Sequence, residues 1–316
     1  MQSPGEVVVY VAHDQDLSEP ILKDFEAETG IKVKPLYDTE TTKTVGLVNK
    51  LIAEKNNPQA DVFWNNEVSR TMKLKDEGIL AKYVSPNSLD KPANMRDAEG
   101  FWTGFGARAR VILYNTDLVS AEDAPKSILD FTQPFWNGKF CIANPLFGST
   151  GSHVSAIFAL WGEDKAKKYF QDLKDNSMAI VESNGMVRDA VVAGEYLAGI
   201  TDTDDAYEAI SEGKHVAMVF PDADDFGTLF FPNSVMLVNG GPNPENGKKF
   251  IDYVLSAKVE SKLAGSQAMQ IPLGKGVPKP DYVPDIEKVN SMQVTQEDIS
   301  QNLESSQRYV QETLLT

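Results

Sequence analysis

The first 36 residues constrain the fold more than any other stretch. Residues 6–12 form a β-branched apolar run bounded by Gly5 and by the polar His13-Asp14-Gln15-Asp16, which predicts a buried strand entering a loop. Ser18-Glu19-Pro20 opens a predicted helix to Thr29, with Ser18 as N-cap, Pro20 in the first turn, Ile21, Leu22 and Phe25 on one face, and Gly30 as the stop. Residues 31–36 read as the next strand. Strand, helix and strand in so short a span favour a parallel sheet covered by helices.

The pattern continues. Val45, Val48, Leu51 and Ile52 share a helical face that ends at Asn56-Asn57-Pro58, and residues 60–64 form a third strand leading into Asn65-Asn66-Glu67. In an open parallel sheet the loops at the carboxyl ends of strands line the ligand crevice, so the loops at 13–16, 38–42 and 65–67 are expected on one rim. Residues 107–115 alternate and then become fully apolar, as a strand crossing between lobes would. A second α/β pattern follows. It comprises a strand at 140–143, the loop 144–152, a helix at 153–161 and another at 163–176, a strand at 179–182, a helix at 186–193, and strands at 196–201 and 215–220. The chain is expected to return to the first lobe through residues 227–238, and 270–274 reads as a third linker. The predicted lobes are residues 1–106 with 227–272, and 107–226 with 273–316.

Composition narrows the class. Thirty basic against 46 acidic side chains give a net charge of −16, which argues against nucleic acid and anionic membrane surfaces as partners. No apolar run reaches a membrane span of roughly 20 residues, and Met1-Gln2-Ser3-Pro4-Gly5 lacks the regions of a signal peptide. Either the chain works in the cytoplasm or a leader was removed ahead of Met1. The single cysteine, Cys141, excludes an internal disulfide and is expected to be a buried strand residue. There is no G-x-S-x-G elbow, phosphate loop or H-E-x-x-H pair, and Ser152 beside His153 cannot act as nucleophile and base because adjacent helical side chains point apart.

Several pieces in order resemble one family. Val9-Tyr10 precedes a histidine and acid loop; then come residues 60–67, 111–115, Gly194-Glu195-Tyr196-Leu197-Ala198-Gly199, and Pro232-Asn233 before a final apolar strand. Together they resemble the ferric-binding-protein group of periplasmic solute-binding proteins for ABC importers, over nearly the whole chain. The resemblance implies an α/β, two-lobed type II periplasmic-binding fold that closes on its ligand by hinge motion. It also implies permease subunits as partners, a monomer, and an extracytoplasmic location.

The same resemblance supplies candidate ligand residues. Iron-binding members carry adjacent tyrosines where this chain has Asp204-Asp205, just after Asp202. The group's histidine falls nearest Asp14, with His13 beside it, and its glutamate at Asn66 or Glu67. As a metal set these give Asp14, Glu67, Asp204 and Asp205, an oxygen-rich group suited to hard cations. The group's anion pocket maps to Gly148-Ser149-Thr150-Gly151-Ser152 ahead of an apolar helix and to Ser183-Asn184-Gly185, where backbone N–H groups and hydroxyls face an anion. Ordinary N-capping would explain the same residues. Arg108 or Arg110, two apart on the crossover strand, offers the anion a cationic partner.

Thr42 beside Glu40 and Thr41 reaches the ligand or caps a helix. Trp64, with Tyr10 and Phe105, walls a cleft or belongs to the core. Asp222, Asp224 and Asp225 read as a solvated turn. His153 and His215 stand too far apart in sequence for a metal triad with His13.

Three functions follow. The first is a receptor for a small anionic or zwitterionic solute, its phosphate, phosphonate or carboxylate at Ser149, Thr150, Gly151, Ser152 and Asn184, and any cationic group at Asp204 and Asp205. The second is a receptor for ferric or another metal ion held by carboxylates, with or without a bridging anion. The third is a carboxylate-dependent hydrolase using Glu67 and Asp204. None requires a resident cofactor.

Overall fold

The predicted opening unit is present, with its helix starting earlier than expected. In the structure, a computed structural model that describes residues 5–38 and 45–316, strands β1 (Glu6–Val11) and β2 (Lys32–Tyr37) pair in parallel across helix α1 (Gln15–Thr29). Asp14 is the N-cap. Ser18 lies one turn inside, its hydroxyl donating to the Asp14 carbonyl at 2.8 Å. Gly30 closes α1 at φ 71°, in the left-handed region that favours glycine, and its N–H reaches Glu26 O.

The chain divides into two compact units. The first comprises Met1–Ala107 and Phe231–Val283, and the second Arg108–Phe230 and Pro284–Thr316. The third junction therefore falls eleven residues beyond the expected linker, between 283 and 284 rather than between 272 and 273. The reason lies in the 270–274 segment, where Ile271 exchanges hydrogen bonds with Ala107 and the Leu273 and Gly274 N–H groups donate to Glu260, all within the first unit.

After α2 (Val45–Ala53), the first unit adds β3 (Val62–Asn65), α3 (Ser69–Asp76) and the short β4 (Leu80–Ala81). From there β5 (Thr103–Asn115) carries the chain into the second unit. That unit contains β6 (Phe140–Ala143), α4 (Gly148–Trp161), α5 (Glu163–Asp175), β7 (Ala179–Val181), α6 (Asn184–Val192), β8 (Ala198–Asp202), α7 (Thr203–Ser211) and β9 (Val216–Val219). Strand β10 (Phe230–Val238) returns the chain to the first unit, and α8 (Pro244–Val254) and α9 (Ala257–Ala264) complete it. The last α-helix, α10 (Gln296–Tyr309), belongs to the second unit and packs on α4, where Ser155 donates to Ile299 O.

In the first unit β1 lies between β2 and β3, both parallel to it, and β10 runs antiparallel beside β3. In the second, β6 lies parallel to β7 and β8, while β5 runs antiparallel to β8 and to β9. Each sheet is covered by apolar helix faces. Ile21, Leu22 and Phe25 pack on β1 and β3, while Val154, Ile157 and Phe158 pack on Ile112, Ile142 and Ile200. Cys141 is fully buried in β6.

Two local expectations change. Helix α4 begins at Gly148, five residues ahead of the prediction, because weak helix formers are carried by the apolar turns that follow. Asp222, expected in a solvated turn, is 3% exposed with φ 62°, its N–H bonded to Lys126 O and one carboxylate oxygen accepting from Ile128 N. Asp224 and Asp225 do face solvent. Burial raises the Asp222 carboxyl from 3.8 to about 6, against the lowering effect of the Ser127 and Ile128 donors.

An acid raised in this way binds more protons folded than unfolded. Its stabilising contribution is complete below pH 4 and is lost as pH rises through 6. Urea unfolding of the ligand-free protein should therefore weaken between pH 4 and pH 7, with roughly 3 kcal/mol of the change assigned to this carboxyl. Asp222→Asn should flatten that part of the profile.

Candidate functional site

The second unit gathers its polar residues at the end of β8. Strand β8 pairs with β5 so that Arg110 stands directly across from Asp202. The two buried side chains meet at 2.5 Å, Arg110 0% and Asp202 3% exposed. Asp202 Oδ2 accepts from Ser149 Oγ at 2.6 Å and from Asn184 Nδ2 at 3.0 Å. Asn184 Oδ1 in turn accepts from Arg110 Nη1 at 2.9 Å and from Thr150 Oγ1 at 3.3 Å. Arg110 also donates to Ser149 Oγ and to Ile200 O, while its Nε has no partner among the described residues.

Local sequence explains how these groups meet. Ser149 lies in the first turn of α4, and Asn184 is the first residue of α6, which Ser183 caps by accepting from Met186 N. Helix α6 lies directly on β8 because Gly199 has no side chain. A Cβ there would stand 2.5 Å from Val187 Cγ1 and 3.0 Å from Cys141 O. Below them His153 is buried and held neutral, its pKa lowered to about 3 by burial and by Arg110.

The next two acids form the first turn of α7, where the helix dipole favours negative charge. Asp204 Oδ2 accepts from Arg108 Nη1 at 3.4 Å, and Asp204 Oδ1 has no partner among the described residues. Asp205 Oδ2 receives only a long contact, 3.4 Å, from Thr201 Oγ1. Oxygens of Asp202, Asp204 and Asp205 lie within 4.8 Å of one another, the only such group of metal-ligating side chains among the described residues. Burial raises the Asp204 carboxyl, with Arg108 opposing and Asp202 adding to the rise. Burial, then Asp204 and Asp202, push Asp205 up to about 7 against Arg188 and Arg110. Burial alone would lower Arg108, but Asp204, Asp202 and Asp205 hold it above its ordinary value. These acids are therefore crowded, and a cation bound among them would relieve the repulsion.

Not every predicted residue joins this group. Gly151 sits inside α4 with its N–H bonded to Phe147 O, so that group is not offered to an anion. A Cβ at Gly151 would meet Pro145 O at 3.2 Å, and close packing explains the glycine. Ser152 occupies the second turn of α4, beyond the free N–H groups of the helix start. Trp64 belongs to the core of the first unit, fully buried between Phe105 and His13 at ring separations of 5.3 and 5.4 Å, as the core alternative expects. Tyr10 and Phe105 are likewise buried.

His13 is buried beside Gln270, 2.9 Å from ring Nε2 to amide nitrogen. Asp14 is exposed, and Asn66 and the Glu67 side chain, which accepts from Arg70 N, are half-buried; all three belong to the first unit. Thr42 lies outside the described residues. Arg110, which the sequence offered only as an alternative to Arg108, proves central, and the i, i+2 spacing that puts both on one face of β5 was the available signal. The supporting roles of Thr201 and Thr203, whose Oγ1 accepts from Ala109 N, had no signal at all.

Comparison with known proteins agrees with this architecture. Iron uptake protein A1 of Synechocystis is 27% identical over 87% of this chain and 79% of its own length. Ferric iron-binding protein A of Mannheimia haemolytica, solved in an open conformation, superposes with a TM-score of 0.85 at 27% identity, covering 98% of each chain. The Trichodesmium protein solved with iron and citrate gives a TM-score of 0.86 over 98% of this chain and 99% of its own, and at 22% identity that likeness speaks to the fold. The fold is the type II periplasmic-binding fold that the resemblance implied. A family model for bacterial extracellular solute-binding proteins matches residues 21–289, well over half of the sequence, and the chain belongs to that family.

Proposed function

We propose that this protein is the extracytoplasmic receptor of an ABC importer and that its cargo is a hard metal cation, ferric iron foremost, held by the carboxylates of Asp204 and Asp205. The observation that carries this reading is the unpartnered Asp204 Oδ1 beside the weakly held Asp205 carboxylate at the start of α7. Oxygen donors with net negative charge suit hard cations. The relatives named for iron uptake and for ferric iron binding support the metal over an organic anion. So does the state of the expected anion pocket, whose Ser149 and Asn184 donors are engaged by Asp202. Binding without turnover accords with the same relatives, which are named as uptake and binding proteins.

Titration with ferric and divalent ions delivered from weak chelators tests the reading. Wild type should bind one ion and gain thermal stability as free ion exceeds Kd. Asp204→Asn and Asp205→Asn should each weaken binding by about 100-fold, roughly 3 kcal/mol for a lost charged ligand. Stabilisation by phosphate- or carboxylate-bearing organic solutes, with none by any metal, would overturn it.

A further inference from the structure

We infer that Asp202 is a built-in anion, occupying from within the chain the seat that a free phosphate or carboxylate would otherwise take. The surroundings of its carboxylate are those of an anion site: a guanidinium, a hydroxyl and an amide, the last two from the first turns of two helices. Donors from three separate elements, β5, α4 and α6, converge on its two oxygens.

A second, independent feature is the position of Asp202 as N-cap of α7. Aspartate at an N-cap ordinarily accepts from a backbone N–H one turn on. Here the side chain makes no cap bond and turns instead into the seat. Helix α7 thus forgoes its cap, and the seat gains a fixed negative charge beside Asp204 and Asp205.

The buried pair of the first unit, Lys91 with Glu260, provides a contrast. Glu260 is fully buried, and its donors are Lys91 and three backbone N–H groups. In the second unit Ser149 and Asn184 are half-buried, so the seat reaches the surface of its own unit. A seat bordered by half-buried residues and filled by the chain itself makes cation capture independent of added anion. This consequence rests on the metal-receptor reading, whereas the filled seat does not.

Vacating the seat tests the inference. Asp202→Ala should bind inorganic phosphate, without metal, about tenfold or more tightly than wild type does, and should melt higher in phosphate than in chloride of equal ionic strength. Adding Ser149→Ala to that variant should abolish the gain. Asp202→Ser, which also vacates the seat and supplies α7 with a capping residue, replaces the alanine variant if the latter does not fold. In a second arm, the affinity of wild type for ferric ion should change by less than about threefold between bicarbonate-free and bicarbonate-saturated buffer, under 1 kcal/mol.

A folded variant that takes no phosphate overturns the inference, as does wild type that binds phosphate equally well or needs bicarbonate for iron. If neither variant folds, the bicarbonate arm decides. Phosphate uptake by the variant with no metal bound by wild type would leave the filled seat standing and remove only the metal reading.

Discussion

Glu260→Ala should lower the unfolding free energy by about 3–5 kcal/mol, the usual cost of stranding one partner of a buried ion pair. Glu260 in α9 is fully buried, and its carboxylate accepts from Lys91 Nζ at 2.6 Å, Leu273 N at 2.8 Å, Gly274 N at 2.9 Å and Gly106 N at 3.0 Å. Truncation leaves a buried ammonium and three N–H groups, two of them buried and that of Gly274 half-buried, without acceptors, each buried one costing on the order of 1–3 kcal/mol unless the segment relaxes. Lys91→Met should cost less, because the three N–H donors still serve the carboxylate. Glu260→Gln should fall between them, since its amide nitrogen opposes donors that only an oxygen can satisfy. Urea denaturation of the three variants gives the order directly. A loss below about 1 kcal/mol for the alanine variant would show that the carboxylate is replaceable by solvent or rearrangement.

How much of this was legible in the sequence depends on the range of the interaction. The β-α-β opening, the crossover strand, the buried Cys141 and the α/β pattern of the second unit all rest on local periodicity, and the structure has them. The starts of α1 and α4 differ from the sequence expectation because cap and loop chemistry is degenerate. Ser and Gly-Ser-Thr are as natural inside a first turn as ahead of it, and packing of the following apolar turns decides.

The site was half legible. Ser149, Thr150, Asn184, Asp202, Asp204 and Asp205 were all named as candidates, and the structure brings them together in one unit. Their roles were not legible, because Asp202 and Asp204 look alike along the chain. Only the antiparallel register of β5 on β8 places Arg110 against the first and leaves the second to Arg108. Glu260 and Lys91, 169 residues apart, had no local signature at all.

The second large effect is expected at that register. Arg110→Met should destabilise the second unit by about 3–5 kcal/mol by leaving the Asp202 carboxylate buried with hydroxyl and amide donors but without its directly paired cation. Adding Asp202→Leu should recover much of the loss, because an apolar pair of similar volume in place of a buried ion pair is often neutral or stabilising. The resulting double-mutant cycle should give a coupling of roughly 1–3 kcal/mol for residues in direct contact. A cycle that closes at zero would mean that Arg110 stabilises through Ser149, Asn184 and Ile200 O, and the pairing across β5 and β8 would then carry no energy of its own.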